Sequence, residues 1–454
     1  MEELIYKKQN FYDIASEKEI KDADSFAGEY MQFLDKAKTE REACREAVIL
    51  AEQAGFKQFD FGQKLKRGDK RYFLNHNKEI ILFKIGSNDL EEAGMKIIGA
   101  HIDSPRLDLK PNPVFEEGGM CYFKTHYYGG IRKYQYLTSP LSLHGAVVKA
   151  NGEKFEFVIG ENQDDPIFYI SDLLPHLSQG QEEQKLREVF SGEQLNLVVG
   201  GKTSKKQKEQ KLKNNVLEIL KSRFGMSDAD FMSSEISAVP MHKAREVGFD
   251  RAFIAGYGHD DKSCAYPALR AILESKSDET VMVWLVDKEE IGSEGNTGAQ
   301  SKLFEDLIDE ICDNFNASPR KVRRNSKCLS ADVTSAYDPN YSTVFDKTNV
   351  AQVSCGTCIM KYDGAKGKSD SNDASAELMG ELRKAMEEAG VLWQTGELGR
   401  VDLGGGGTIS KFIAKLNIDT IDIGVPVISM HAPYELISKA DLYSTYKAFK
   451  AFFK

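Results

Sequence analysis

The sequence is as informative for what it lacks as for what it holds. No apolar run approaches the roughly 20 residues that a bilayer-spanning helix needs, so nothing points to a membrane span. Positive charge is not in excess. Sixty Lys and Arg stand against 70 Asp and Glu, a net −10, which argues against a nucleic-acid binder with its basic footprint. Cysteine is sparse: seven residues, an odd number scattered along the chain, do not make a disulfide framework. A reducing, cytoplasmic location is therefore expected. The opening Met1-Glu2-Glu3-Leu4-Ile5 is acidic and lacks the apolar core of a signal peptide, which agrees with that expectation. Histidine is also scarce, with eight in the whole chain.

What is present fits a soluble globular protein. The 454 residues are 41% hydrophobic and 29% charged, enough for a sizeable core and for two or three domains, or one large and one smaller. Residues 1 to about 55 carry helical periodicity, with Gly55 as a C-cap. Residues from about 108 to 245 differ. Aromatic and β-branched runs at 122–136, 141–149 and 154–159 read as strands, and the lysine-rich 205–213 reads as a solvated segment. This stretch looks like a β-rich insertion, giving expected domains 1–107 with 246–454, and 108–245. Outside the insertion, short apolar runs alternate with helical stretches, the pattern of an α/β fold with a mostly parallel sheet and helices on both faces.

The stretch around which the chain is organised is Val281-Met282-Val283-Trp284-Leu285-Val286, a buried strand by composition, followed by Asp287-Lys288-Glu289-Glu290-Ile291-Gly292. A Glu pair alone is more often a solvated acidic turn. The same pattern recurs, however. Ile97-Ile98-Gly99-Ala100 runs into His101-Ile102-Asp103, and Phe253-Ile254-Ala255-Gly256 leads to Asp260. Cys328-Leu329-Ser330-Ala331 meets Asp332, and Ile421 to Met430 meets His431. Parallel strands share one C-terminal edge, so five side chains far apart in sequence can converge there. Two imidazoles and three carboxylates, with no thiolate, suit a pair of divalent ions that activate a shared water. One of Glu289 and Glu290 would bind metal and the other act as base, and spacing does not choose between them. Other signals weigh less. Cys355-Gly356-Thr357-Cys358 has no second pair to complete a zinc site and reads as an inert, half-buried pair. Gly201-Lys202-Thr203 lacks the earlier glycine of a phosphate loop. The run Gly404–Gly407 could let backbone approach a substrate or simply make a tight turn.

Taken in order, Gly-Ala-His101-Ile-Asp103-Ser-Pro-Arg-Leu, Gly-His-Asp260-Asp261-Lys, Asp-Lys-Glu289-Glu290-Ile-Gly-Ser, Ser-Ala-Asp332-Val and Ser-Met-His431 closely resemble the motifs of the aspartyl aminopeptidase / aminopeptidase I family of dinuclear zinc metallopeptidases. The resemblance implies a zinc-peptidase α/β domain interrupted by a β-rich dimerisation domain. It also implies a homo-oligomer, a tetrahedral dodecamer built from dimers. It makes His101, Glu290, Asp332 and His431 terminal metal ligands and Asp260 the bridging one, with a cis peptide to Asp261. Glu289 becomes the general base, and Asp103 the residue that orients His101. The ions implied are zinc, with cobalt or manganese as alternatives, and the substrates are peptides with a free N-terminus. Lys366, in Gly364-Ala365-Lys366-Gly367-Lys368, is the basic side chain expected to select an acidic first residue, while a neutral preference stays open. Gly406 is a further substrate-binding candidate. His176, in Pro175-His176-Leu177-Ser178-Gln179-Gly180, stands near a family motif whose His would reach across a subunit interface and whose own position here is Gly180. Two other functions are compatible with the same residues: a metal-dependent N-acyl amino-acid deacylase, and a non-catalytic chamber-forming scaffold.

Overall fold

The computed structural model describes residues 5–454, which divide into two compact units. The first takes the chain up to Ser104, then Ala244–Met430 and Glu435–Lys454; the second takes Pro105–Lys243 and His431–Tyr434.

Strand Thr280–Val286 explains the layering of the first unit. All its side chains are buried, and successive ones point to opposite faces. Val281, Val283 and Leu285 enter one apolar core, while Met282, Trp284 and Val286 enter another. A strand apolar on both faces needs cover on both, the condition of a parallel sheet between helix layers. Thr280–Val286 pairs in parallel with Met95–His101, that strand with Lys327–Ala331, and that in turn with Asp419–Gly424. Antiparallel Glu79–Lys84 and Thr357–Met360 flank these four. Lys57–Gln58, Lys70–Asn75 and Trp393–Thr395 complete a sheet of nine strands among the described residues. Helices Glu17–Lys36, Glu40–Gln53, His259–Leu273 and Lys439–Phe452 bury Phe26, Ala47, Leu269 and Phe449 against one face. Leu303–Asn314 and Ser410–Ala414 cover the other, where Phe304 stacks on Trp284 with ring centroids 4.3 Å apart. The early helices start at capping boxes, Ser16 with Glu19 and Thr39 with Glu42. The second of them stops at Gly55, which adopts φ +85° while the Phe56 N–H donates to Ala51 O at 2.9 Å.

One sequence expectation needs correcting. The five chemistry-bearing runs do not all belong to one sheet. Phe253–Gly256, ahead of Asp260, and Pro426–Ile428, ahead of His431, lie in a separate five-stranded sheet that also contains Glu435–Ser438. The long apolar run 420–428 is divided because Pro426 has no N–H to continue a central ladder. His101, Glu290 and Asp332 alone follow the C-terminal ends of the large parallel strands.

The second unit is a six-stranded antiparallel sheet. Its longest hairpin, Arg106–Glu117 with Met120–Tyr128, slips register between Leu109 and Val114, where Pro111 and Pro113 cannot donate. The sequence reading missed its helix, Lys211–Phe224. Leu212, Val216, Leu217, Leu220 and Phe224 recur at helical steps and join the core of Phe123, Leu143 and Ile236, but the preceding lysines mask the pattern.

Candidate active site

Parallel pairing sets the site. Val286 and His101 lie opposite each other in register, so the chain leaves both strands at the same level of the sheet. Beyond Val286, Lys288 turns left-handed at φ 67°, Glu289–Ile291 form one 3-10 turn, and Gly292 turns left-handed again at φ 99°. Beyond His101, the fully buried Asp103 receives that turn. One of its carboxylate oxygens accepts from the Glu289 N–H at 3.2 Å, and the other accepts from the Glu290 N–H at 3.2 Å. The first oxygen also lies 3.3 Å from His101 Nδ1. Asp103 therefore orients the imidazole through both this oxygen and its backbone carbonyl, 3.1 Å from His101 Nδ1, and holds the backbone of both Glu residues.

Asp260 stands where helix His259–Leu273 begins, and its peptide bond to Asp261 is cis, as the resemblance implies. Its Oδ1 is 3.0 Å from His101 Nε2, and Asp332 Oδ1 is 3.9 Å from the same nitrogen. Its backbone is fixed from both sides. The Asp260 N–H donates to Glu435 Oε2 at 3.1 Å, and the Asp260 carbonyl accepts from Ser104 Oγ at 2.7 Å. Ser104 in turn accepts from the buried Lys262 ammonium at 2.7 Å. Next to it, Tyr30 Oη and His259 Nδ1 are 2.8 Å apart. Ser104, Lys262, Glu435 and Tyr30 were not found from sequence, because each acts through a partner distant along the chain. Only the Ser and Lys beside the motif residues could have drawn notice.

Three overlapping trios, His101–Glu289–Asp332, His101–Asp260–Glu290 and Asp260–Asp261–Asp332, each bring ligand atoms within 4.8 Å of one another. Burial pushes the Asp261 carboxyl well above its usual range, with Asp260 adding to the shift. Burial and the neighbouring Asp261 do the same to Asp332. For His101, burial pulls downward but Asp103 and Asp260 outweigh it and hold the net shift upward. A cation placed among these buried carboxylates would relieve their mutual repulsion. Nitrogen and oxygen donors with no thiolate among them fit zinc.

The sequence pattern of the aminopeptidase I zinc metalloprotease family (M18) matches residues 33–453, a span that contains every residue of this cluster. The chain belongs to the M18 aminopeptidase family. A probable M18 family aminopeptidase 1 of Clostridium acetobutylicum is 44% identical over 99% of both chains. The crystal structure of an M18-family aminopeptidase from Thermotoga maritima superposes with TM-score 0.95 at 41% identity, covering 99% of this chain and 100% of that one. The aminopeptidase I structure from C. acetobutylicum gives TM-score 0.93 at 40% identity over 99% and 100%. A dodecamer structure of mApe1 from S. cerevisiae shares the fold, with TM-score 0.77 at 22% identity over 94% and 96%. M18 membership makes the chain a metal-dependent aminopeptidase, and zinc is the family's metal.

The remaining sequence candidates lie elsewhere. Lys366 is exposed, with φ 48°, on the loop that follows strand Thr357–Met360. Gly406 meets the same loop through its N–H, which donates to Asp363 O at 2.8 Å. The neighbouring Gly405 must be glycine: it has φ +130°, and a Cβ there would come within 2.4 Å of Ala365 Cα. His431 falls in the short segment grouped with the second unit, where its Nδ1 lies 3.0 Å from Gly130 O. His176 is exposed in the turn Pro175–Leu177 of that unit. Cys355 and Cys358 are both buried free thiols, more enclosed than the half-buried pair expected.

Proposed function

We propose that this M18 enzyme removes N-terminal residues, acidic or neutral, from peptides with two divalent ions, zinc first and cobalt or manganese as alternatives. In this reading the ions would be held by Asp260, shared between them, and by His101, Glu290, Asp332 and His431. The observation that carries it is the set of overlapping trios, in which His101, Asp260 and Asp332 are each shared by two groups. His431 rests on the resemblance alone. When bound, such ions polarise the scissile carbonyl and acidify a water. Glu289 would be the general base, accepting a proton from the attacking water and returning it to the leaving amine. Asp103 keeps base and ligands in one frame, because it holds the Glu289 and Glu290 N–H groups and faces His101. Lys366 and Gly406 border the first-residue pocket, and His176 acts across the subunit interface of a tetrahedral dodecamer built from dimers through residues 108–245. The fold shared with the S. cerevisiae dodecamer is consistent with that assembly. A cytoplasmic enzyme fits the sparse, unpaired cysteines.

The test is a screen of metal-replenished protein on chromogenic substrates with Asp, Glu, Leu, Lys or Met first, each paired with its N-acetyl form. Cleavage of the free-amine set alone is expected. Cleavage of the acetylated set would make the chain a deacylase. Silence on both with metal bound would assign the site a different reaction, and an empty site with no hydrolysis after metal addition would favour a scaffold.

A further inference from the structure

The second unit contains a cavity of about 420 Å³ beneath helix Lys211–Phe224. Its walls are apolar, including Phe123, Leu143, Phe157, Phe168, Phe231 and Ile236. The volume lies within the range of about 300–1,000 Å³ typical of small-molecule sites. The polar lining is small: Lys202 and Arg223, both exposed, and the half-buried Asn215, with no acidic side chain. The Lys202 ammonium and the Asn215 amide make no side-chain hydrogen bond or ion pair among the described residues. Arg223 lies over the Phe224 ring, 5.4 Å from its centroid. Asp165, whose carboxylate feels the Arg223 charge, does not line the cavity, and its Oδ2 accepts from the Gly160 and Asn162 N–H groups and the Asn162 amide. Ile219, another lining residue, is 47% exposed, so the cavity opens to the surface along the helix.

An apolar chamber bordered by two cations and an amide suits an apolar body with a negative head. We propose that this cavity binds a small monoanionic amphiphile, an aliphatic or aryl carboxylate or sulfonate, with the body among the phenylalanines and the head at Lys202 and Arg223. The site is independent of the peptidase cluster, since all its lining residues belong to the second unit.

Decanoate, decanol and decyltrimethylammonium are titrated against bound anilinonaphthalene sulfonate on the full-length, native assembled protein. Decanoate should displace the dye about tenfold more tightly than the ammonium compound, the scale of one charge-assisted contact. The double variant Lys202→Gln/Arg223→Gln should weaken decanoate by a similar factor and leave decanol unchanged. Ile219→Trp, at a position exposed in the single chain, should block all three ligands while native mass and peptide hydrolysis persist. Equal displacement by the three ligands, undiminished binding in Ile219→Trp, or no dye binding by the assembled protein would each overturn the proposal.

Discussion

Two turns of the first unit make an instructive pair. The turn 287–293 and the loop 361–371 both depend on non-glycine residues in the left-handed region: Lys288 and Ser293 in one, Lys366, Lys368 and Asp370 in the other. Their support differs. The first turn is bound to Asp103 through two N–H groups, and behind it Lys288 Nζ donates to Thr297 Oγ1, which donates to Asp287. The second is exposed at its tip and held by Ala365 O, which accepts from the Ser369 N–H and hydroxyl, and by ion pairs of Lys361 and Lys368 with Asp373. Exposed pairs of that kind contribute at most about 1 kcal/mol. The residues given proton transfer and metal binding sit where several donors and acceptors over-determine them. The residue given substrate choice sits where the chain can vary.

The sharpest way to break this comparison is to remove the base and leave its frame intact. Glu289→Gln should lower kcat by about 10²–10⁴-fold, with metal content by elemental analysis unchanged. Turnover near the parent value would remove Glu289 from the base role. The frame itself is tested by Asp103→Asn, which replaces one of two acceptor oxygens with a donor facing the Glu290 or Glu289 N–H. Metal affinity and kcat should each fall about 10–100-fold, as when a residue supporting metal ligands is lost. A variant that bound zinc as the parent does would show that His101 and the Glu pair are held by other contacts.

Much of this frame was legible in the sequence, and the rest was hidden for identifiable reasons. His101, Glu290 and Asp332 announced themselves because a continuous apolar strand ends abruptly in a charged or ionisable residue. The role of Asp103 toward His101 followed from the family resemblance. Its grip on the Glu289–Glu290 backbone was not, since it crosses 186 residues. The assignment of Asp260 to the same sheet failed because strand periodicity does not say which sheet a strand joins. Ser104 and Lys262 stood beside the motif residues, but their pairing was hidden. A buried lysine looks like a surface lysine until Ser104 is seen within 2.7 Å of it.

Behind the first turn lies a buried carboxyl that no metal or substrate role uses. Glu79 is fully buried, accepts from Trp284 Nε1 at 2.6 Å and from Asn75 Nδ2 at 2.8 Å, and is raised to about 7 by burial. A carboxyl whose folded value exceeds its unfolded one binds its proton more tightly when folded. Its contribution to stability is therefore full below about pH 4.5 and is lost as the pH climbs through about 7. Glu79→Gln cannot titrate. Its stability relative to the parent should grow by up to about 3 kcal/mol across that window, at roughly 1.4 kcal/mol per pH unit. Unfolding midpoints of the two proteins measured from pH 4.5 to 8 decide this, and a constant difference would mean that Glu79 stays ionised.

The smallest effect is expected at the second turn, and it concerns choice rather than rate. Three lysines lie in the loop. Lys361 and Lys368 are engaged by Asp373 at 2.6 and 3.0 Å, whereas Lys366 makes no ion pair among the described residues. Lys366 is thus the cation available to an acidic side chain without first breaking a bond. Lys366→Gln should lower kcat/KM for Asp-first substrates by about tenfold, the worth of one hydrogen bond to a charged group, and leave Leu-first substrates unchanged. Thermal stability should not move, because the side chain is exposed and supports nothing else. If the Asp/Leu ratio is unaltered while the parent enzyme prefers Asp, selection belongs to Lys361 or Lys368, and the loop would have to release Asp373 each time it accepts a substrate.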